Sequence, residues 1–504
     1  MTHNANLASV LRDRYEPALD RPFLRVPGEN TRTYRDMDTR AAVFAAALSE
    51  TGVRPGDRVV VQVEKSPDAI ALYLACLRGG FVYVPLNPAY TPAEVAYFVS
   101  DAEPAALVHR PAADASLVDA AKAAHVGAVL TLGNDGDGSL GQIEAEPDHD
   151  IVRRHDEDLA AVLYTSGTTG RSKGAMLTHR SLRVNAFALH EVWGFVPGDV
   201  LLHILPIFHV HGLFVAMHCA MLNGSEVIFC RRFDPATVTS MLSDATVMMG
   251  VPTHYGRLLD HPDLDADHCR NIRLFTSGSA PLSETVFAGF TDRTGHAIVE
   301  RYGMTEVGIL TSNPLAGDRI AGTVGYPLPG VDIRVVHNGT IAAPATIGTV
   351  ETRGDNMFSG YWRRPDETAS ELTDDGWFRT GDLGSLDADG RLTLVGRSAD
   401  LIISGGLNVY PKEVERCLDN CESVAESAVV GVADVDLGET VVAYVVPESG
   451  ATISVPDLTA ACHATLARFK HPRRIVVVDE LPRNAMGKVQ KAALRAEPIA
   501  TTEE

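Results

Sequence analysis

The sequence has no uninterrupted apolar run long enough to span a bilayer, so a membrane-embedded helix is not expected. Positive charge is also short: 44 Lys and Arg against 65 Asp and Glu leave a formal charge of -21. Without a global basic field, neither nucleic acid nor an anionic membrane is an expected partner. An anionic ligand must then be held by local cations or backbone N–H groups. Cysteine is sparse as well. The seven (Cys76, Cys219, Cys230, Cys269, Cys417, Cys421 and Cys462) are scattered, odd in number and without zinc spacing, the usage of reduced thiols. Cys417 and Cys421 can share a helix face and, with no His nearby, read as packing residues. The first residues, MTHNANLASVLRDRYEPALDRP, lack an apolar h-region and carry acids, so no export or transit signal is expected and the cytoplasm is the expected compartment.

What is present is enough for more than one core. The chain has 504 residues, of which 45% are apolar, the profile of a globular protein with a large domain and at least one smaller one. Helical and strand patterns alternate: 34–52 and 67–79 read as helices, and 57–63, 106–108 and 129–132 as strands. Such alternation predicts layered α/β sheets with much parallel pairing. Residues 133–150 read as a solvated connector, and strands at 348–352 and 392–395 as a β-rich subdomain. After Leu401 the pattern restarts as helix 412–419, strands 427–432 and 440–446, and helix 458–467, a small α+β domain. The expected division is 1–397, a hinge at 398–402, and 403–504.

Residues 164–174 (YTSGTTGRSKG) follow an apolar strand and form a loop of small and hydroxyl residues. Gly167, Gly170 and Gly174 open backbone conformations closed to other residues. Their N–H groups, with the hydroxyls of Thr165, Ser166, Thr168 and Thr169, can wrap phosphate oxygens, and Lys173 adds a point charge. The spacing is not that of a Walker A loop, and a Gly/Ser/Thr cluster alone is also what a surface turn looks like.

The loop resembles, almost letter for letter, the phosphate loop of the acyl- and aryl-CoA synthetase, luciferase and peptide-synthetase adenylation superfamily. Further segments follow in that superfamily's order: LPIFHVHGL (205–213), SGSAPL (277–282), RYGMTE (301–306), GTVGYPLPG (322–330), WFRTGD (377–382), GRSADLIISGG (396–406) and PRNAMGK (482–488). The resemblance covers essentially the whole chain. It implies a carboxylate-activating enzyme using ATP, Mg²⁺ and coenzyme A. The acid attacks the α-phosphorus, pyrophosphate departs, and AMP becomes the leaving group for a thiol. Negative charge meeting negative charge is the obstacle, so positioning and neutralisation are expected to dominate catalysis.

The resemblance also implies roles for single residues. Lys488, Thr168, Glu306 and His209 are the implied catalytic set, with Glu306 and Thr168 on the metal. Thr165, Ser166, Gly167, Thr169, Lys173, Gly278, Ser279, Glu300, Gly303 and Thr305 join them around ATP, with Tyr302 stacked on adenine and Asp382 and Arg397 on the ribose. Gly405 and Gly406 are implied for the pantetheine arm, presented when the small domain rotates about Asp400. Relatives often carry Lys where Ala399 stands, so no contact is carried over there. An acetyltransferase acting on Lys488 is a further implied partner.

The choice of acid rests on other residues. HVHGL, RLFTSGSAPL from Arg273, ERYGMTE from Glu300, SNPLAGDR from Ser312 and NVYPKEVE from Asn408 resemble malonyl-CoA synthetases in particular. Arg301 can bind the second carboxylate of a short diacid, with Ser279 adding a hydroxyl. It can equally pair with Glu300 and brace the loop. His209 reads as a gate to the acyl pocket or as a satisfied buried imidazole, and Val210 and Met304 as pocket walls. His209 and His211 in H-x-H spacing, taken as a strand, share a face near His203, but no third metal ligand is apparent. Malonate is the favoured acid. Methylmalonate, a short- or medium-chain monocarboxylate, and transfer to a carrier protein stay open.

Overall fold

Ser66 accepts from the backbone N–H of Ala69 and so caps the helix Pro67–Arg78, whose first proline sits where no N–H is required. That helix is buried along nearly all of its length. It packs on Tyr34–Glu50, which is opened by a capping box between Thr33 and Asp36. The two share one core with strands from both large sheets, including Val59, Val61 and Tyr83 of one and Leu201, Val227 and Val247 of the other. Further cores cover the outer faces: Val238, Tyr255, Leu258 and Phe290 on one sheet, Val95, Phe98 and Leu117 on the other. The layers therefore run helix, sheet, helix, sheet, helix. This computed structural model describes residues 4–111, 115–165, 172–484 and 487–496.

Among the described residues the larger sheet has nine strands, and its central run pairs in parallel: Glu226–Phe229, Val200–His203, Val247–Gly250, Leu274–Ser277 and Val299–Met304. The second has six, with Arg58–Gln62, Val82–Pro85, Ala106–His109 and Ala128–Thr131 parallel. An antiparallel five-stranded sheet follows, ending on Phe378–Leu386 and Leu392–Arg397. A short helical turn, Ser398–Asp400, leads to Ile402–Ser404, which belongs to the separate sheet of the small C-terminal lobe. That lobe is α+β, with Pro411–Asp419 and Val455–Thr465 packed on the long pair Val424–Asp434 and Gly438–Pro447. The fold is the α/β arrangement expected, a large N-terminal part with a β-rich subdomain and a small C-terminal lobe.

One local expectation fails. His209 and His211 do not lie on a strand. His209 is in a bend after Val200–His203, and His211 begins the π-helix His211–Met217. All seven residues of that helix are buried, so tertiary packing overrides any strand-like alternation. No described helix is long and apolar enough to cross a membrane.

Candidate active site

Parallel strands place the residues at their carboxyl ends around one crevice. Here the ends of the strands at His203, Gly250 and Ser277 lie level with the start of Val299–Met304, which pairs in parallel through Thr276 with Val299 and Ser277 with Glu300 and runs on past them. Val299–Met304 also turns back against Gly308–Ser312, with its register broken between Tyr302 and Gly303. A β-carbon on Gly303 would stand 2.2 Å from the Gly308 carbonyl, so only glycine lets the two strands cross there.

At one end of the crevice Arg301 is 5% exposed. Its Nε and Nη2 are buried and have no hydrogen-bond partner among the described residues. Burial pushes the guanidinium down to about 9, with only Tyr255 opposing, so it is charged at neutral pH. Glu300 does not pair with it. The Glu300 carboxylate accepts from Gly322 N at 2.9 Å, and burial lifts it to about 8. No ion pair joins Arg301 to Glu300 or to any other acid among the described residues. Gly278 makes room for it: a β-carbon there would be 2.5 Å from the guanidinium carbon.

Around this cation stand neutral donors. Ser279 holds a left-handed backbone (φ 69°), a strained state for a residue with a side chain, and its Oγ lies 3.4 Å from His211 Nδ1. His211 Nε2 is buried without a partner among the described residues. Burial, then Arg301, pushes His211 well below the ordinary imidazole value and His209 to about 4, so both are uncharged. The His211 backbone N–H donates to His209 Nδ1 at 3.2 Å, leaving the His209 proton on Nε2. Val210 is buried and Met304 half-buried. A cavity of only about 20 Å³ lies among Val210, Phe214, Leu182 and Thr305, room for about one water. His203 has other engagements, with Lys65 and the Gly212 carbonyl.

At the other end polar groups satisfy one another. Tyr302 donates to Asp382 Oδ2 at 2.5 Å, and Arg397 Nε lies 2.8 Å from Asp382 Oδ1. Asp382 and Arg397 are direct partners across their antiparallel strands, so the pairing is written into the register. Glu306 is buried and accepts from Tyr361 at 3.0 Å; burial lifts its carboxyl, with Tyr361, Arg397 and Lys173 opposing. Lys173 sits 4.3 Å over the Tyr361 ring, and its ammonium is 3.5 Å from Glu367 and 3.8 Å from Glu371. Sequence reading missed Tyr361, which arrives because Ala175 bridges to it from the strand Lys173–Thr178. Thr165 and Lys173 pair across the base of the glycine-rich loop. Ser166, Gly167, Thr168 and Thr169 lie outside the described residues.

The small lobe closes over this end. Arg416 pairs with Glu284 at 2.9 Å, and a β-carbon on Gly487 would be 3.2 Å from Thr253 Oγ1. Lys488 follows. Its side chain reaches solvent, yet crowding in the cleft and Arg397 push its ammonium down, with Asp382 and Asp400 opposing. Asp400 pairs with Arg495 at 2.7 Å. Gly405 and Gly406, both with positive φ, form the exposed turn of the hairpin Ile402–Ser404 and Leu407–Val409. Thr305 is half-buried beside Glu306.

A crevice with a buried cation at one end and a carboxylate–tyrosine–arginine cluster that feels the charge of Lys488 at the other has the parts that nucleotide and carboxylate chemistry require. The chain belongs to the AMP-binding enzyme family, which matches residues 11–362, with the family's C-terminal domain matching residues 413–488. Among curated relatives, the mitochondrial malonate–CoA ligase ACSF3 of Mus musculus is 34% identical, covering 92% of this chain and 86% of its own. The long-chain-fatty-acid–CoA ligase of Bacillus subtilis is 32% identical over 98% and 95%. The crystal structure of ATP-bound MatB from Rhodopseudomonas palustris is 47% identical, covers 98% of both chains and superposes with a TM-score of 0.93.

Proposed function

We propose that this protein is an AMP-forming malonate:CoA ligase. The observation that carries the reading is Arg301, a buried guanidinium with no carboxylate partner among the described residues. Removing one partner of a buried charge pair costs several kcal/mol, roughly 3–5, so such a cation favours an anionic ligand. His211, His209 and Ser279 add uncharged donors to the same corner, and malonate brings the second carboxylate that uses them. The likeness to malonate–CoA ligase ACSF3 and to MatB supports the same acid. Monocarboxylates lack the second carboxylate that Arg301 calls for, which disfavours short- and medium-chain acids, while a methyl branch beside Met304 keeps methylmalonate as a weaker substrate.

In the proposed reaction one malonate carboxylate attacks the α-phosphorus while the other is held by Arg301. Pyrophosphate leaves, and Lys488 neutralises the charge that develops. Asp382 and Arg397 hold the ribose, and Tyr302 lies against adenine. Glu306, a buried carboxylate raised by burial, fits a divalent cation, and with Thr168 it would hold Mg²⁺, whose charge offsets that of the phosphates. The small lobe then turns about Asp400 within the 398–402 hinge, withdrawing Lys488 and bringing Gly405 and Gly406 to the pantetheine arm. The CoA thiolate attacks the acyl carbon and AMP leaves. Seven free thiols suit a reducing compartment such as the cytoplasm. The solvent-open Lys488 is also available to an acetyltransferase; modified protein that kept full adenylation would count against that. Malonate, ATP and free CoA, with no carrier protein, are expected to give malonyl-CoA, AMP and pyrophosphate. Adenylate formation without any thioester would point to a carrier loader, and no AMP release with any acid would end the enzymatic reading.

A further inference from the structure

Lys65 is a lysine the reaction above does not use. It follows the strand Arg58–Gln62 of the six-stranded sheet, yet its ammonium reaches the end of Val200–His203 in the nine-stranded one. Nζ lies 2.8 Å from His203 Nδ1, donates to the His203 carbonyl at 3.0 Å and stands 4.6 Å over the Phe229 ring. No carboxylate is within ion-pair distance among the described residues, the adjacent Glu64 being taken by Arg110 at 3.2 Å. Burial pushes the amine to about 7. Charged or neutral, it has the two N–H donors these contacts need.

The geometry fixes the tautomer of His203. With Nδ1 accepting from Lys65, the proton sits on Nε2, which is 2.9 Å from the Gly212 carbonyl and donates to it. Burial, then Lys65, holds His203 well below the ordinary imidazole value, so it stays neutral. Gly212 is the second residue of the π-helix that His211 begins. It already presses on the preceding loop, since a β-carbon there would stand 2.0 Å from the Pro206 carbonyl. Leu213 N donates to the His209 carbonyl at 3.0 Å, and His211 N to His209 Nδ1. The first turn of the π-helix, the two pocket histidines and Gly212 are thus hydrogen-bonded to one another, and His203 links that turn to the sheets by a buried polar contact, in addition to the apolar packing of the rest of the helix.

We propose that Lys65 is a positioning residue: through His203 and the Gly212 carbonyl it sets the turn carrying His209 and His211 against Arg301 and Ser279, and thereby the affinity for the acid. This rests on reading that corner as the acid site. It differs from a bracing role between the two sheets, which would disturb ATP and acid alike.

The test is ATP–pyrophosphate exchange by the full-length wild type, Lys65→Met and Lys65→Gln, with KM measured separately for ATP and for malonate, acetate and butyrate. Lys65→Met is expected to raise the acid KM roughly tenfold, the scale of one lost buried hydrogen bond, with the ATP KM within about twofold. Lys65→Gln, one bond shorter but still a donor to Nδ1, is expected to stay within about threefold of wild type. An unchanged acid KM in Lys65→Met, a joint rise in both KM values, or a Gln variant as impaired as Met would overturn the proposal. Should the wild type prefer a monocarboxylate, the malonate reading falls, and the same comparison with the preferred acid still decides the role of Lys65.

Discussion

The two ends of the crevice are built on opposite plans. At the acyl end, Arg301 and His211 bury nitrogens with no hydrogen-bond partner among the described residues. At the nucleotide end, Tyr302, Asp382 and Arg397 satisfy one another, as do Tyr361 and Glu306. Each plan suits a different ligand problem. Exchanging one hydrogen-bond partner for another is nearly neutral, so ribose hydroxyls can replace Tyr302 and Arg397 on Asp382 at little net cost. An unpaired buried cation is expensive until an anion arrives, so the acyl end discriminates by charge before shape is tested. Loose pairing serves a nucleotide that must come and go. Unmet charge serves the choice of acid.

Four substitutions probe this contrast. Lys488→Ala, at the junction of the two ends, is expected to lower ATP–pyrophosphate exchange by ~10²–10³ while thioester formation from supplied malonyl-AMP stays within a few-fold. Equal loss of both steps would remove Lys488 from its proposed place. Next in size, Arg301→Met should lower kcat/KM for malonate by roughly 10²-fold or more and leave the ATP KM unchanged. The same variant should melt at a higher temperature than unliganded wild type, by the equivalent of about 1–4 kcal/mol, because it replaces an unpaired buried charge with an apolar side chain. A lower melting temperature would mean that Arg301 has a partner after all. Asp382→Asn comes third, with an expected rise of about tenfold in the ATP KM and none in the acid KM. The smallest effect is expected of Tyr302→Phe. Loss of its hydroxyl only frees Asp382 for the ribose, and an ATP KM more than about threefold from wild type would contradict the exchange of partners described above.

Legibility in the sequence also divides along this line. The nucleotide end could be read because its residues come in contiguous motifs. WFRTGD and GRSAD hold Asp382 and Arg397, and the antiparallel register does the rest. Helices such as Tyr34–Glu50 and Pro67–Arg78 announced themselves through periodicity and capping residues. At the acyl end Arg301, Ser279, His209, Val210 and Met304 could be named from their motifs, but not the arrangement that brings them together. ERYGM did not announce itself as a strand, since its pairing to Leu274–Ser277 and Gly308–Ser312 depends on contacts between separated segments. His211 was weighed only as a metal ligand. Its place beside Ser279 depends on a π-helix, and no local pattern in HGLFVAM, buried all round, distinguishes that helix from a strand. Lys65 and Tyr361 reach the site from distant segments, 138 residues from His203 and 55 from Glu306.

The most direct test of the account is the ratio of kcat/KM for malonate to that for butyrate, measured with free CoA in wild type and Arg301→Met. Wild type is expected to favour malonate by roughly 10²-fold, and Arg301→Met to erase or reverse the preference. A wild type that activates butyrate as well as malonate, or an Arg301→Met variant that keeps the preference, would contradict it.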